Sequence, residues 1–229
     1  DYTEDDWRRH IWGYYRLIER VDGYIGEVMN ALRESGQEEN TVVVFLSDHG
    51  DCHGAHQWNQ KTVFYDESAR VPFIISQKGR TQKAESDVLL NTGIDMIPTL
   101  CDFAGIETPK GLPGKSMMAP ALGGTLDNER TYVISQNHMV QCEAVDGVRL
   151  TPHGRMVRGE RYKYCIYSEG EKRESLVDMQ EDPGEMTNQA ENPDFKPVVV
   201  QYRAYLEKHA RQYNDEMAFS MLKHVENLG

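Results

Sequence analysis

Apolar residues recur every three or four positions between Thr3 and Ser35: Trp7, Ile11, Tyr14, Ile18, Val21, Ile25, Val28 and Leu32. That spacing predicts one long amphipathic helix, with Thr3 as its N-cap and Gly36 as its stop. The run Thr41-Val42-Val43-Val44-Phe45-Leu46 is continuous, rich in β-branched residues and without alternation. It predicts a strand buried on both faces, as in a parallel sheet covered by helices. A helix leading straight into such a strand is half of an α/β repeat.

After a polar, histidine-rich loop, Val71-Pro72-Phe73-Ile74-Ile75 predicts a second short strand. Pro72 falls at its start, where no ladder donor is needed. Thr92 to Ala104 carries Ile94, Ile97, Leu100, Cys101 and Ala104 at helical spacing and ends at Gly105. Pro98 lies inside it, which predicts a kink or a late start. Residues 107–130 are rich in Gly and Pro and mark a loop or a domain join. Beyond them Tyr132-Val133-Ile134, Gly154 to Tyr167 and Leu176-Val177 read as strands separated by turns, and residues 194–213 as a closing helix. The pattern therefore predicts an α/β portion over 1–125 and a small antiparallel sheet with one helix over 126–229.

Composition narrows the functional classes. With 39% apolar and 27% charged residues, the 229-residue chain suits a folded domain with an ordinary polar surface. Its formal net charge of -12 excludes nucleic acid as a partner, since phosphate binding needs a basic stripe. No run approaches the ~18 apolar residues of a membrane span. The four cysteines (52, 101, 142 and 165) form no C-x-x-C pair, so they define neither a zinc ribbon nor a disulfide framework. The sequence opens at Asp1, just ahead of the first helix, and reads as a piece of something longer.

The chemistry concentrates in Ser47-Asp48-His49-Gly50-Asp51-Cys52-His53-Gly54-Ala55-His56, followed by Trp58-Asn59-Gln60-Lys61. In open α/β sheets ligands bind beyond the carboxyl ends of strands, and Asp48 stands where the first apolar strand ends. A carboxylate and an imidazole there could hold a divalent cation. The glycines permit tight turns, and Lys61 adds a mobile point charge suited to a tetrahedral oxyanion. Taken singly, these residues have ordinary explanations. An Asp after a strand forms turns and caps helices, and a lone His is usually a surface or core residue. Three His, two Asp and a Lys in one loop leave both readings open, a metal or anion site and a set of unrelated turn residues. Zinc fits the composition, but the spacing matches no standard zinc pattern.

Several ordered motifs resemble type I sulfatases of the alkaline phosphatase superfamily. They are Phe45-Leu46-Ser47-Asp48-His49-Gly50-Asp51, Gly54-x-His56-x-x-x-x-Lys61 and Tyr65-Asp66-Glu67-x-x-Arg70-Val71-Pro72-Phe73-Ile74-Ile75. Asp95-Met96-Ile97-Pro98-Thr99-Leu100 through Ile106 is similar to the helix that follows in that family. Met156-Val157-Arg158-x-x-Arg161-Tyr162-Lys163-Tyr164 and Leu176-Val177-Asp178-Met179-x-x-Asp182-Pro183-Gly184-Glu185-Met186-x-Asn188 resemble its C-terminal subdomain.

The resemblance implies hydrolysis of sulfate esters of a small molecule or glycan, and the polar residues around His56 suit a sulfated sugar better than a bulky apolar sterol. It implies a formylglycine nucleophile, whose hydrate attacks sulfur beside a bound Ca²⁺. Asp48 and His49 would be two ligands of that metal, although many relatives have Asn at the second position. Lys61 would bind a sulfate oxygen and stabilise charge at the leaving oxygen, with His56 assisting at the substrate. Asp51, His53, Asn59, Gln60 and Arg70 would support the pocket, Arg70 more as a structural residue.

The chain departs from the family in one respect: no Cys or Ser here begins the C-x-[PA]-x-R modification motif, and Cys142 comes nearest. The nucleophile, the other acidic ligands and a further Lys and His would then lie upstream, and the chain alone would not turn over. It would instead associate with itself or with its missing half. Relatives are usually exported, which implies a periplasmic or secreted setting. Two alternatives remain: a phosphodiesterase or phosphonate hydrolase of the same superfamily, and a degenerate, non-catalytic binding module.

Overall fold

The structure is a computed structural model that describes residues 2–127, 129–140, 144 and 147–226. Cys142 lies outside the described residues. The chain divides into two compact units, one comprising Asp1–Lys61, Asp66–Ser86 and Thr92–Asp127, the other Thr62–Tyr65, Asp87–Asn91 and Asn128–Gly229.

The first unit opens with helix α1 (Glu4–Glu34), started by a capping box in which Thr3 and Asp6 satisfy each other's backbone N–H groups. Gly36, at φ 69°, takes the left-handed turn that ends it. The predicted helix is therefore present, but its apolar stripe is not buried. Ile18, Val21 and Ile25 are exposed, and Val28 is 67% exposed. Strand β1 (Val43–Leu46) follows, then the four-residue helix α2 (Asp66–Ala69) and strand β2 (Phe73–Ser76).

β1 and β2 pair antiparallel, with Val43 opposite Ser76 and Leu46 opposite Phe73. This corrects the expectation of a parallel strand buried on both faces. The connection through residues 47–72 holds only a 3₁₀ turn at Ala55–Gln57 and α2, both too short for the crossover helix that parallel neighbours require. Phe45 and Ile74 are exposed accordingly.

Helix α3 (Thr92–Ala104) runs unbroken through Pro98. The proline has no N–H for the carbonyl of Ile94, and Gly114 packs so close there that a Cβ would meet that oxygen at 1.8 Å. Asp95, fully buried, accepts the Lys115 N–H at 2.8 Å and so fixes the following loop. The short helix α4 (Met118–Ala121) closes the unit.

The second unit is a four-stranded antiparallel meander, β3 (Tyr132–His138), β4 (His153–Gly159), β5 (Tyr162–Tyr167) and β6 (Glu174–Asp178), in sequence order. Val157, Tyr164 and Leu176 stand opposite one another across β4, β5 and β6, because alternate residues share a face. With Ile166 they pack on Val199, Tyr202, Leu206 and Ala210 of helix α5 (Lys196–Tyr213) and on Ala218, Met221, Leu222 and Val225 of helix α6 (Glu216–Glu226). Two helices cover this sheet, where the sequence predicted one. Asn214, left-handed at φ 55°, ends α5, and Asp215 accepts the Ala218 N–H to start α6 at once.

The opposite face is buried too. Lys163, 1% exposed, donates to the Phe64 carbonyl at 2.9 Å and pairs with Glu185 at 2.6 Å. Asn137 donates to the Thr62 carbonyl, so two side chains of the sheet hold the segment Thr62–Tyr65.

Two carboxylates of this unit make its stability pH-dependent. Hydrogen bonds from the Arg161 guanidinium are the main cause holding Asp178 below the usual carboxylate range. For Asp215 the largest influence is burial, which pushes upward, but the bidentate Arg155 with its charge and the Ala218 N–H outweigh it. A folded pKa below the unfolded value contributes stability above the unfolded pKa and loses it as pH falls through the folded one. The urea midpoint is therefore expected to hold between about pH 5 and 7 and to fall below about pH 4. Asp178→Asn, measured across the same range, should flatten part of that fall.

Candidate active site

Asp48 stands two residues beyond the end of β1, and its side chain is 85% exposed. Its Oδ1 accepts the His49 N–H at 3.0 Å, which turns the carboxylate back over its own loop. His49 Nδ1 lies 2.8 Å from the Gly50 carbonyl, an oxygen that can only accept, so Nδ1 carries the proton. The Nε2 lone pair is therefore presented 3.4 Å from Asp48 Oδ2 and 2.7 Å from the Lys61 ammonium, which donates to it. Asp48, His49 and Lys61, singled out in the sequence, thus converge at the end of β1. Burial is the largest influence on the Asp48 carboxyl and pushes it up. Its neighbours His49 and Lys61 and two backbone N–H groups together outweigh this and hold it below its ordinary value. A carboxylate oxygen beside an unprotonated imidazole nitrogen is a donor pair that fits a divalent cation.

Ser68 on α2 sets this geometry. Its carbonyl accepts the Gly50 N–H at 2.8 Å, while its hydroxyl donates to the Lys61 carbonyl at 2.6 Å. The backbones approach so closely that a Cβ on Gly50 would lie 1.9 Å from the Glu67 carbonyl oxygen. Between these points the loop coils tightly, with Cys52 N–H bonded to Gln60 O and Gly54 N–H to Trp58 O. His53, His56, Gln57 and Gln60 all take positive φ, conformations that disfavour a side chain.

The other predicted residues fall into separate groups. His56 is mostly buried, its Nε2 3.7 Å from Glu67 Oε2, a carboxylate to which the sequence assigns no role. Asp51 accepts the His53 N–H and lies beside the His53 ring. Burial is the main cause that lowers the His53 pKa. Next to this pair stands His10 of α1, which the sequence reading missed. The signal for it was its position on the Trp7–Tyr14 side of the helix, whose rings also lie against this loop. Gln60 contributes its carbonyl to the coil, and the Arg70 N–H closes α2 on the Asp66 carbonyl while its side chain is exposed. Asn59 is half-buried.

Gly50→Ala should force the loop away from α2. A loss of roughly 1–3 kcal/mol is expected, read by denaturant unfolding, with widened separation of His49 and Lys61 in a crystal structure of the variant.

Comparison with known proteins places this arrangement. The family model "Sulfatase" matches residues 1–106, and the model "N-sulphoglucosamine sulphohydrolase, C-terminal" matches residues 54–212. The chain is 36% identical over 218 residues to a Delta 4,5-hexuronate-2-O-sulfatase of Bacteroides thetaiotaomicron, covering 94% of this chain and 44% of that protein. A solved 2-O GAG sulfatase superposes with a TM-score of 0.84 at 36% identity, over 94% of this chain and 46% of that one. The phosphonate monoester hydrolase of Agrobacterium radiobacter superposes at 0.79 with 25% identity, over 93% of this chain and 43% of that one. The chain thus spans less than half the length of these relatives. From its motifs, its fold and a family match that runs across most of its length, the chain belongs to the sulfatase family, within the alkaline phosphatase-like fold.

Proposed function

We propose that the chain forms the part of a sulfuric ester hydrolase that carries two metal ligands and a sulfate-binding lysine, acting on a sulfated sugar. The observation that carries this reading is the convergence of Asp48, His49 and Lys61 at the end of β1, with Lys61 Nζ 2.7 Å from His49 Nε2. Asp48 and His49 would hold a divalent cation, Ca²⁺ by family resemblance, whose positive charge would neutralise the sulfate oxygens. Ca²⁺ takes six to eight oxygen ligands, so further acidic ligands belong, in this reading, to the rest of the full-length protein. So does the formylglycine nucleophile.

The roles proposed for this chain's own residues follow from their chemistry. Lys61 is a compact ammonium on a flexible stem, suited to one oxygen of a tetrahedral anion and to the charge that develops on the leaving oxygen. His56, held near Glu67, would orient the sugar side of the ester. The 2-O-sulfatase names of two relatives support a sulfated uronate-type sugar as substrate class. The exposed stripe on α1 and the exposed residues of β1 and β2 would be covered by the remainder of the full-length protein.

The similarity to a phosphonate monoester hydrolase supports a second reading, in which the same cation and lysine serve a phosphorus ester. Assay of the full-length enzyme on an aryl sulfate beside a phosphonate monoester separates the two. The sulfate ester is expected to be the better substrate, and the reverse order would favour the second reading. Lys61→Ala in that enzyme should lower kcat on the sulfate ester by roughly 10²–10³ while leaving the melting temperature in place. Unchanged kcat would remove Lys61 from the site.

A further inference from the structure

His10, Asp51 and His53 form a second cluster, apart from Asp48, His49 and Lys61 in chemistry. Each offers one ligand atom, and the three atoms lie within 4.8 Å of one another. His10 comes from the second turn of α1, whereas Asp51 and His53 come from the coiled loop after β1. Among the described residues, His10 Nε2 and His53 Nδ1 are buried atoms with no hydrogen-bond partner. Leaving such a nitrogen buried and unpaired is costly, because it gives up water without a replacement partner. His53 Nδ1 lies 3.3 Å from Asp51 Oδ1, in the range of an ion pair but without hydrogen-bond alignment. Donor atoms of a tetrahedral zinc site, each ~2.0–2.2 Å from the metal, stand roughly 3.3–3.5 Å apart. That pair already has the separation a shared ion needs, and the His10 ligand atom lies within 4.8 Å of both.

The surroundings hold the cluster in place. The Asp51 carboxylate is anchored by the His53 N–H at 3.0 Å. His53 sits at φ 48°, with its ring 3.6 Å from that of Tyr14, centre to centre. The Trp7 ring seals the next turn, where a Cβ on Gly54 would meet it at 2.8 Å.

We propose that His10, Asp51 and His53 bind a borderline divalent transition ion, Zn²⁺ first, with water completing a tetrahedron. Two imidazole nitrogens and one carboxylate select such an ion over Ca²⁺, which takes oxygen ligands. The ion is a clip: it ties α1 to the loop that carries Asp48, His49 and Lys61, closing a long stretch of chain in the folded state. The proposal does not depend on the roles given to Asp48, His49 or Lys61.

The test titrates the full-length protein, stripped of transition metals and kept in Ca²⁺, with Zn²⁺ in competition with a chromophoric chelator. One Zn²⁺ per chain is expected, with a rise in melting temperature, and both should persist in the D48N/H49A double variant. His10→Gln and His53→Gln should each weaken binding by ~100-fold or more, beyond what loss of a mere outer partner costs. Co²⁺ in place of Zn²⁺ should give visible d–d bands without the near-ultraviolet thiolate band that Cys52 would produce. Should a glutamine variant fail to fold, the wild-type chain still decides. Zn²⁺ should shift the imidazole ¹⁵N resonances of His10 and His53 to values typical of metal-bound nitrogen. No stoichiometric binding, binding that vanishes in D48N/H49A, a thiolate band, or unshifted His10 and His53 nitrogen resonances would each overturn the proposal.

Discussion

Ser68 is the point on which the site hangs. It is buried, and it uses both its carbonyl and its hydroxyl on the loop 47–61: the carbonyl takes the Gly50 N–H and the hydroxyl reaches the Lys61 carbonyl. His49 and Lys61 are twelve positions apart, yet these two bonds leave their side-chain nitrogens in hydrogen-bond contact. The closeness has a steric condition, since Gly50 passes the Glu67 carbonyl with no room for a Cβ. It also has a conformational one. Four non-glycine residues between them take left-handed backbone, each at a cost of roughly 1–2 kcal/mol. The loop is stabilised against that strain by its own backbone bonds and by the α1 rings packed on His53 and Gly54. A metal shared by His10, Asp51 and His53 would act in the same direction.

The second unit solves a different problem, the burial of charge. Lys163 and Glu185 form an ion pair almost wholly removed from water. Such a pair gains little over an apolar one, but removing either partner is costly, so it enforces one arrangement of the chain around it. Lys163 spends another donor on the Phe64 carbonyl, and Asn137 takes that of Thr62. Asn188 plays a similar part at the edge of the sheet. Its Oδ1 accepts the Leu176 N–H and its Nδ2 donates to the Glu174 carbonyl, so it stands in for a missing neighbouring strand. The motif residues Arg161, Lys163, Asp178, Glu185 and Asn188 therefore hold structure together within this unit.

Local chemistry was legible wherever it acts over a few residues. The Thr3–Asp6 capping box, the helix through Thr92–Ala104 and the four strands of the second unit follow from side-chain periodicity and short-range turns. The loop 47–61 stood out because it concentrates His, Asp and Lys after an apolar strand. Helix α6 was harder to see, because Asn214 and Asp215 leave almost no linker between it and α5.

The sequence by itself determined most of the segments that are helix and strand, and the loop that could bear chemistry, since propensity and spacing are properties of neighbours along the chain. Only the tertiary structure decided that β1 and β2 run antiparallel, that Ser68 bridges Gly50 to Lys61, and that Asp178 and Lys163 serve packing. Only it brought His10, forty-one positions before Asp51, to the side of His53. Each of these depends on the meeting of segments far apart in sequence, and no periodicity within a segment records where its partner lies.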